Sequence, residues 1–107
     1  MGEEFKRMAW VKVAETTDLK LGAGMVVEAK GRELALFHVD GEFYCIDNTC
    51  PHMEGPLGEG DLDGEEVMCP WHAWSFNVKT GEGLYGSGVC VRSFACKIED
   101  TDVLVEI

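Results

Sequence analysis

Basic residues are scarce in this chain: nine Lys and Arg stand against 20 Asp and Glu, for a formal charge of −11. Such a surface repels phosphate backbones and anionic headgroups, which argues against nucleic acid as a partner; it serves as a solvated, solubilising face, as a docking face for a basic partner, or as both. Long hydrophobic runs are missing as well. No stretch approaches the roughly 18 apolar residues that cross a bilayer. The opening residues Met1-Gly2-Glu3-Glu4-Phe5-Lys6-Arg7 lack the apolar stretch of a secretory signal. Lys6 stands where a myristoylation pattern requires Ser or Thr. The expectation is a cytoplasmic protein with no membrane attachment.

Helical periodicity is absent beyond a turn or two, and so are repeats, linkers and low-complexity tracts. The 107 residues, 46% hydrophobic, suffice for one core, so a single domain over 1–107 is expected. What the chain does contain is short β-type runs punctuated by turn residues, an all-β pattern. Strands are predicted over 8–13, 25–29, 33–39, 42–47, 65–68, 74–78, 91–98 and 103–107. Asp40-Gly41 is a strong two-residue hairpin signal, because Gly accepts the positive φ of a type I′ turn, and Asp63-Gly64 repeats it. Lys79-Thr80-Gly81 and Glu99-Asp100-Thr101-Asp102 mark further turns. Strands recurring about every ten residues belong to small sandwiches and barrels.

Five cysteines, an odd number without an export signal, favour metal ligands or buried thiols over a disulfide framework. If Cys90 and Cys96 share one strand, about 20 Å separates them, beyond a disulfide's reach. Cys45, Cys90 and Cys96 are therefore expected to be buried, apolar-like thiols. The other two head a pair of related segments, Cys50-Pro51-His52 and Cys69-Pro70-Trp71-His72, with residues 53–68 between them. Each supplies one thiolate and one imidazole. Each Cys follows a predicted strand and precedes a Pro, which cannot continue a ladder, so both pairs belong on loops.

Thiolates are strong donors to iron, and replacing two of them with neutral imidazoles removes two negative charges from an iron–sulfur centre. A four-thiolate [2Fe–2S] cluster carries about −2 when oxidised, whereas a Cys₂His₂ cluster is roughly neutral and easier to reduce, at about −150 to +300 mV. The alternative is a single Zn²⁺ in a tetrahedral site. Zinc modules pair like with like, as Cys-x-x-Cys and His-x₃₋₅-His, whereas Cys-x-His with Cys-x-x-His suits a binuclear centre with two distinct ends.

With these motifs the sequence resembles the Rieske [2Fe–2S] ferredoxins. The resemblance runs in detail over about 43–83, including Trp74-Ser75-Phe76 and Thr80-Gly81-Glu82 after the second pair. It implies a Rieske-type β-sandwich or barrel with a cluster-binding loop subdomain. It further implies that Cys50 and Cys69 bind one iron and His52 and His72 the other, with the imidazole edges facing solvent. Acidic residues such as Glu54 and Glu59 would then help a partner dock on the histidine side. The implied role is one-electron carriage from an NAD(P)H-dependent flavoprotein reductase to a terminal oxygenase of the aromatic-ring dioxygenase kind. The alternative is the small subunit of an assimilatory NADH-dependent nitrite reductase, bound to its large subunit.

Several positions depart from the high-potential, cytochrome bc-type branch of that family. Its two extra loop cysteines are replaced by Gly55 and Trp71, and its Ser and Tyr after the second His by Trp74 and Phe76. Loss of those hydroxyl donors leaves a reduced cluster less stabilised, which implies the lower part of the potential range. A third loop, Leu84-Tyr85-Gly86-Ser87-Gly88, lacks the prolines common in the family. Ser87 and Ser93 have no adjacent base motif, so no catalytic residue and no small-molecule substrate is expected. His38, inside an apolar run, is expected to pack and not to ligate, Trp71 and Trp74 to pack around the loops, and Phe37, Phe43, Phe76 and Phe94 to be core.

Overall fold

The structure, a computed structural model, describes residues 9–50, 55–70, 74–84 and 89–107. Among the described residues there are ten strands: β1 (Trp10–Glu15), β2 (Gly24–Ala29), β3 (Arg32–Val39), β4 (Glu42–Asp47), β5 (Asp61–Asp63), β6 (Glu66–Met68), β7 (Ser75–Asn77), β8 (Ser93–Phe94), β9 (Cys96–Glu99) and β10 (Asp102–Glu106). They form three antiparallel sheets, ordered β1-β10-β9, β2-β3-β4-β8 and β5-β6-β7.

The β3 segment, Arg-Glu-Leu-Ala-Leu-Phe-His-Val, reads as an unbroken apolar run, and the reason lies in its position. Its side chains alternate between two cores: Leu34 and Leu36 enter one, and Ala35, Phe37 and Val39 enter the other. The first core lies towards β1 and β10, with Ala14, Val103 and Val105. The second lies towards β6 and β7, with Val67 and Phe76. Each fully buried Leu, Phe or Val contributes about 1.5–3 kcal/mol, so the central sheet draws stabilisation from both faces. All four phenylalanines expected inside are buried.

The turn chemistry explains the hairpins. Val39 pairs with Glu42, leaving Asp40 and Gly41 as a two-residue loop with φ of 53° and 84°, the type I′ pattern. Lys30-Gly31 makes the same turn between β2 and β3, at 53° and 74°. The second Asp-Gly is offset by one residue from expectation. Asp63 pairs with Glu66, so Gly64 and Glu65 form the loop and only Gly64, at 64°, has positive φ.

Two other expectations need correction. The run 91–98 is not one strand: β8 pairs with β4, then the chain leaves the central sheet at Ala95 and β9 pairs with β10. The Ala95 carbonyl accepts the Glu106 N–H at 2.9 Å, so it already serves the outer sheet. A strand that must help cover the first core from both sides has to bend between them. The cysteines differ too: Cys45 is buried, but Cys96 is half-buried and Cys90 is exposed. Cys90 bridges Glu82 beside the small sheet, and strand alternation that turns Val91 inward turns Cys90 out.

Candidate metal centre

The chain leaves β4 through Asn48 and Thr49 and reaches Cys50, whose side chain is fully buried in the second core. Cys69 follows β6 directly and is 2% exposed in that same core. The fold thus brings both expected thiol ligands to one apolar cluster from two different sheets. Leu57, Val67 and Phe76, all fully buried, belong to that cluster. His52 and His72 lie outside the described residues, as do Glu54, Trp71 and residues 85–88. Among the described residues no group of three or more His, Cys, Asp or Glu is placed to hold a metal.

Each loop is tied at its base. The Cys50 N–H donates to the Gly55 carbonyl at 2.9 Å, and Thr49 bridges Pro56. The Cys69 N–H donates to the Trp74 carbonyl, also at 2.9 Å. The third loop has matching ties: the Gly83 N–H donates to Val89 at 2.9 Å, and the Leu84 N–H to Ser75 at 3.0 Å. Ser75 heads β7, so the third loop is carried by the sheet that carries Cys69.

Asn48, 3% exposed, does most to set the first loop, and sequence reasoning missed it. Its backbone carbonyl accepts the Leu57 N–H at 2.6 Å and its Oδ1 accepts the Gly58 N–H at 2.8 Å. Its Nδ2 donates to Glu33 Oε1 at 3.4 Å, a longer contact. One residue, through its backbone carbonyl and its side-chain amide, therefore ties the start of the loop that carries Cys50 to the chain that follows it. The available signal was the residue type: Asn next to a strand end bonds nearby backbone in place of the ladder.

Asn77 plays a comparable part after the second loop. Its Oδ1 accepts the N–H groups of Lys79 and Thr80 at 2.8 and 3.2 Å, shaping the Thr80-Gly81-Glu82 turn. Gly81 has φ of +81°, and a Cβ there would collide with the Val91 carbonyl, so only glycine fits. The Lys79 ammonium, 3.6 Å from Glu65, has its pKa raised by that carboxylate and by Tyr44.

His38 packs as expected. Its Nδ1 faces the Leu19 carbonyl at 3.0 Å, and its ring stacks on Phe43 with centroids 4.2 Å apart. Trp74 packs against the second core, near the base of the second loop.

Two buried thiols converging at the bases of closed loops are the donors an iron–sulfur centre takes from a protein, and an apolar wall limits water there. Comparison with known proteins gives a consistent answer. The family model for the Rieske [2Fe–2S] domain matches residues 9–94. The ferredoxin component of the naphthalene 1,2-dioxygenase system of Pseudomonas putida is 33% identical over 99 residues, covering 92% of this chain and 95% of that one. A chain in the complex of reduced oxygenase and oxidized ferredoxin in carbazole 1,9a-dioxygenase superposes with a TM-score of 0.82 at 34% identity, covering 90% of this chain and 91% of that one. A structure described as a nitrite reductase NADPH small subunit superposes at 0.78 with 25% identity, over 91% of this chain and 97% of that one.

Proposed function

Because this chain belongs to the Rieske [2Fe–2S] domain family, we propose that it is a ferredoxin that carries single electrons from an NAD(P)H-dependent flavoprotein reductase to a terminal oxygenase. The observation that carries this reading is the burial of Cys50 and Cys69 in one apolar cluster at the bases of two hydrogen-bonded loops. The proposed ligands are Cys50, His52, Cys69 and His72. When bound, a Cys₂His₂ [2Fe–2S] cluster takes up and gives back one electron.

The chain's own residues provide the setting. Cys50 and Cys69 would hold the cluster as thiolates, supplying two negative charges, and His52 and His72 would hold it as neutral imidazoles that add none. Leu57, Val67 and Phe76 exclude water on the thiol side. Asn48 ties the start of the first loop to Leu57 and Gly58 beyond it. The acidic surface steers a basic partner surface toward the molecule without binding it so tightly that exchange is slow.

A second reading, a nitrite reductase small subunit in a larger complex, draws on the structure that superposes at 0.78. The separating experiment is a coupled assay: NADH, a flavoprotein reductase of a dioxygenase system, this protein, and the matching oxygenase with its aromatic substrate. Turnover that depends on this protein is expected. Absence of turnover, together with stable co-purification with a nitrite reductase large subunit, would favour the second reading. Visible and EPR spectra test the centre itself: a colourless protein with one bound zinc would refute both.

A further inference from the structure

Two thiols outside the metal centre meet on the other side of the central sheet. Cys45 lies in β4, paired with Phe94 of β8, and is 1% exposed. Cys96 opens β9 two residues beyond Phe94. Beyond Phe94 the chain passes from β4 to the outer sheet, where Cys96 pairs with Val105 and packs on the same first core as Cys45. The Cys96 Sγ donates to the Phe94 carbonyl at 3.9 Å, and interaction with the Cys96 thiol helps hold the Cys45 thiol pKa above its ordinary value.

Their exposure is unequal. Cys96 is half-buried and lines a cleft of about 260 Å³ with Glu42, Phe43 and Ile98, where the start of β4, paired with β3 but not with β8, faces the edge strand β9. A small polar oxidant entering this cleft meets Cys96 first, with Cys45 behind it. Cys90 has neither the cleft nor a place in the first core.

We propose that Cys45 and Cys96 form a reversible disulfide on exposure to hydrogen peroxide. The Cys96 sulfur, having lost its proton to solvent, attacks one peroxide oxygen. An S–O bond forms, the O–O bond breaks, and the departing hydroxide takes up a proton to become water. The Cys45 sulfur then attacks Cys96: the S–S bond forms, the S–O bond breaks, and the leaving hydroxide accepts the Cys45 proton as a second water. Two thiols and one peroxide become one disulfide and two waters. A dithiol reductant reverses the change.

The bond would join the central sheet to the outer sheet, and it would enclose Cys50, His52, Cys69 and His72 within one covalent loop. Restricting the unfolded chain over that span stabilises the folded protein. The site does not depend on the proposed electron-carrier role.

The test uses the holoprotein treated with a few equivalents of peroxide, quenched in acid, alkylated under denaturing conditions, digested and analysed by mass spectrometry. The expected result is a linked peptide pair containing Cys45 and Cys96, two hydrogens lighter than the free thiols, that disappears with dithiothreitol while Cys90 remains alkylated. The oxidised protein should melt about 5 °C or more higher. With Cys45→Ala, dimedone should trap a sulfenic acid on Cys96; with Cys96→Ser, Cys45 should stay alkylatable. Over-oxidation of Cys96 in the wild-type chain with Cys45 free, a link between Cys50 and Cys69 with Cys45 free, or pairing through Cys90 would overturn the proposal. The wild-type digest keeps the test decisive where a variant does not fold.

Discussion

The Asn48 side chain holds Gly58: its Oδ1 accepts the Gly58 N–H at 2.8 Å in the interior, across the loop that Cys50 begins. The same residue's carbonyl holds Leu57, so two consecutive N–H groups depend on one position. Asn48→Ala leaves the Gly58 donor buried without its acceptor, which costs about 1–3 kcal/mol. Urea denaturation should show that loss, and iron content per chain should fall with it. Full iron content with unchanged stability would refute the anchoring role.

Glycine substitutions should divide by surroundings. Gly64→Ala meets open space and suffers only from its φ of +64°, about 1 kcal/mol. Gly81→Ala adds a collision with the Val91 carbonyl to a φ of +81°, so a loss above about 2 kcal/mol is expected. Denaturant midpoints of the two variants provide the comparison, and equal losses would contradict it.

Cys45 gives stability an alkaline limb. Its hydrogen bond with Cys96, then burial, then the nearby Cys96 and Asp47 raise the thiol pKa well above its ordinary 9.0. The folded state therefore keeps a proton that the unfolded chain releases. This contribution is fully present below pH 9 and is lost as pH climbs from there toward the folded value, at up to about 1.4 kcal/mol per unit. Unfolding free energies of reduced wild type and Cys45→Ala, measured from pH 8 to pH 10.5 in steps, should converge as pH rises. Parallel curves would show that Cys45 titrates normally.

The cluster's potential should lie in the lower part of the family range of about −150 to +300 mV, below zero. Trp74 and Phe76 bring no hydroxyl, and Phe76 is fully buried in the core shared with both cysteines. A spectroscopic redox titration with a midpoint well above zero would reject this and leave the ligand set intact.

Docking should be electrostatic. Glu59 is exposed in the short turn Leu57–Glu59, close in sequence to the first loop. Reversing Glu54 and Glu59 to Lys should slow transfer to the partner about tenfold at low salt, with the difference fading as salt rises. Stopped-flow rates at two ionic strengths decide; equal rates at low salt would remove these residues from the interface.

The all-β class and most strands were legible because alternation and turn chemistry agree locally. The bounds of β4 match the prediction at both ends, since Asp40-Gly41 fixes where it starts. Strand β5 was missed because Asp-Leu-Asp shows one apolar residue, and its pairing with β6 supplies the rest. The Lys30-Gly31 hairpin was missed because Lys carries no turn signal, although Gly31 does. The break at Ala95 was invisible for another reason: a strand serving two sheets in succession keeps its apolar character throughout. Of the site, the cysteines were legible from spacing, whereas Asn48 works by a buried bond that no periodicity reveals.

The two cysteine-bearing loops hang from different layers, Cys50 from the central sheet and Cys69 from the β5-β6-β7 sheet. Iron ligated by both would act as a rivet between layers otherwise joined by the apolar cluster. Cofactor loss and loosening of the small sheet then become one event. Amide exchange in β5, β6 and β7 should quicken when iron is stripped, while β2 and β3 keep their protection.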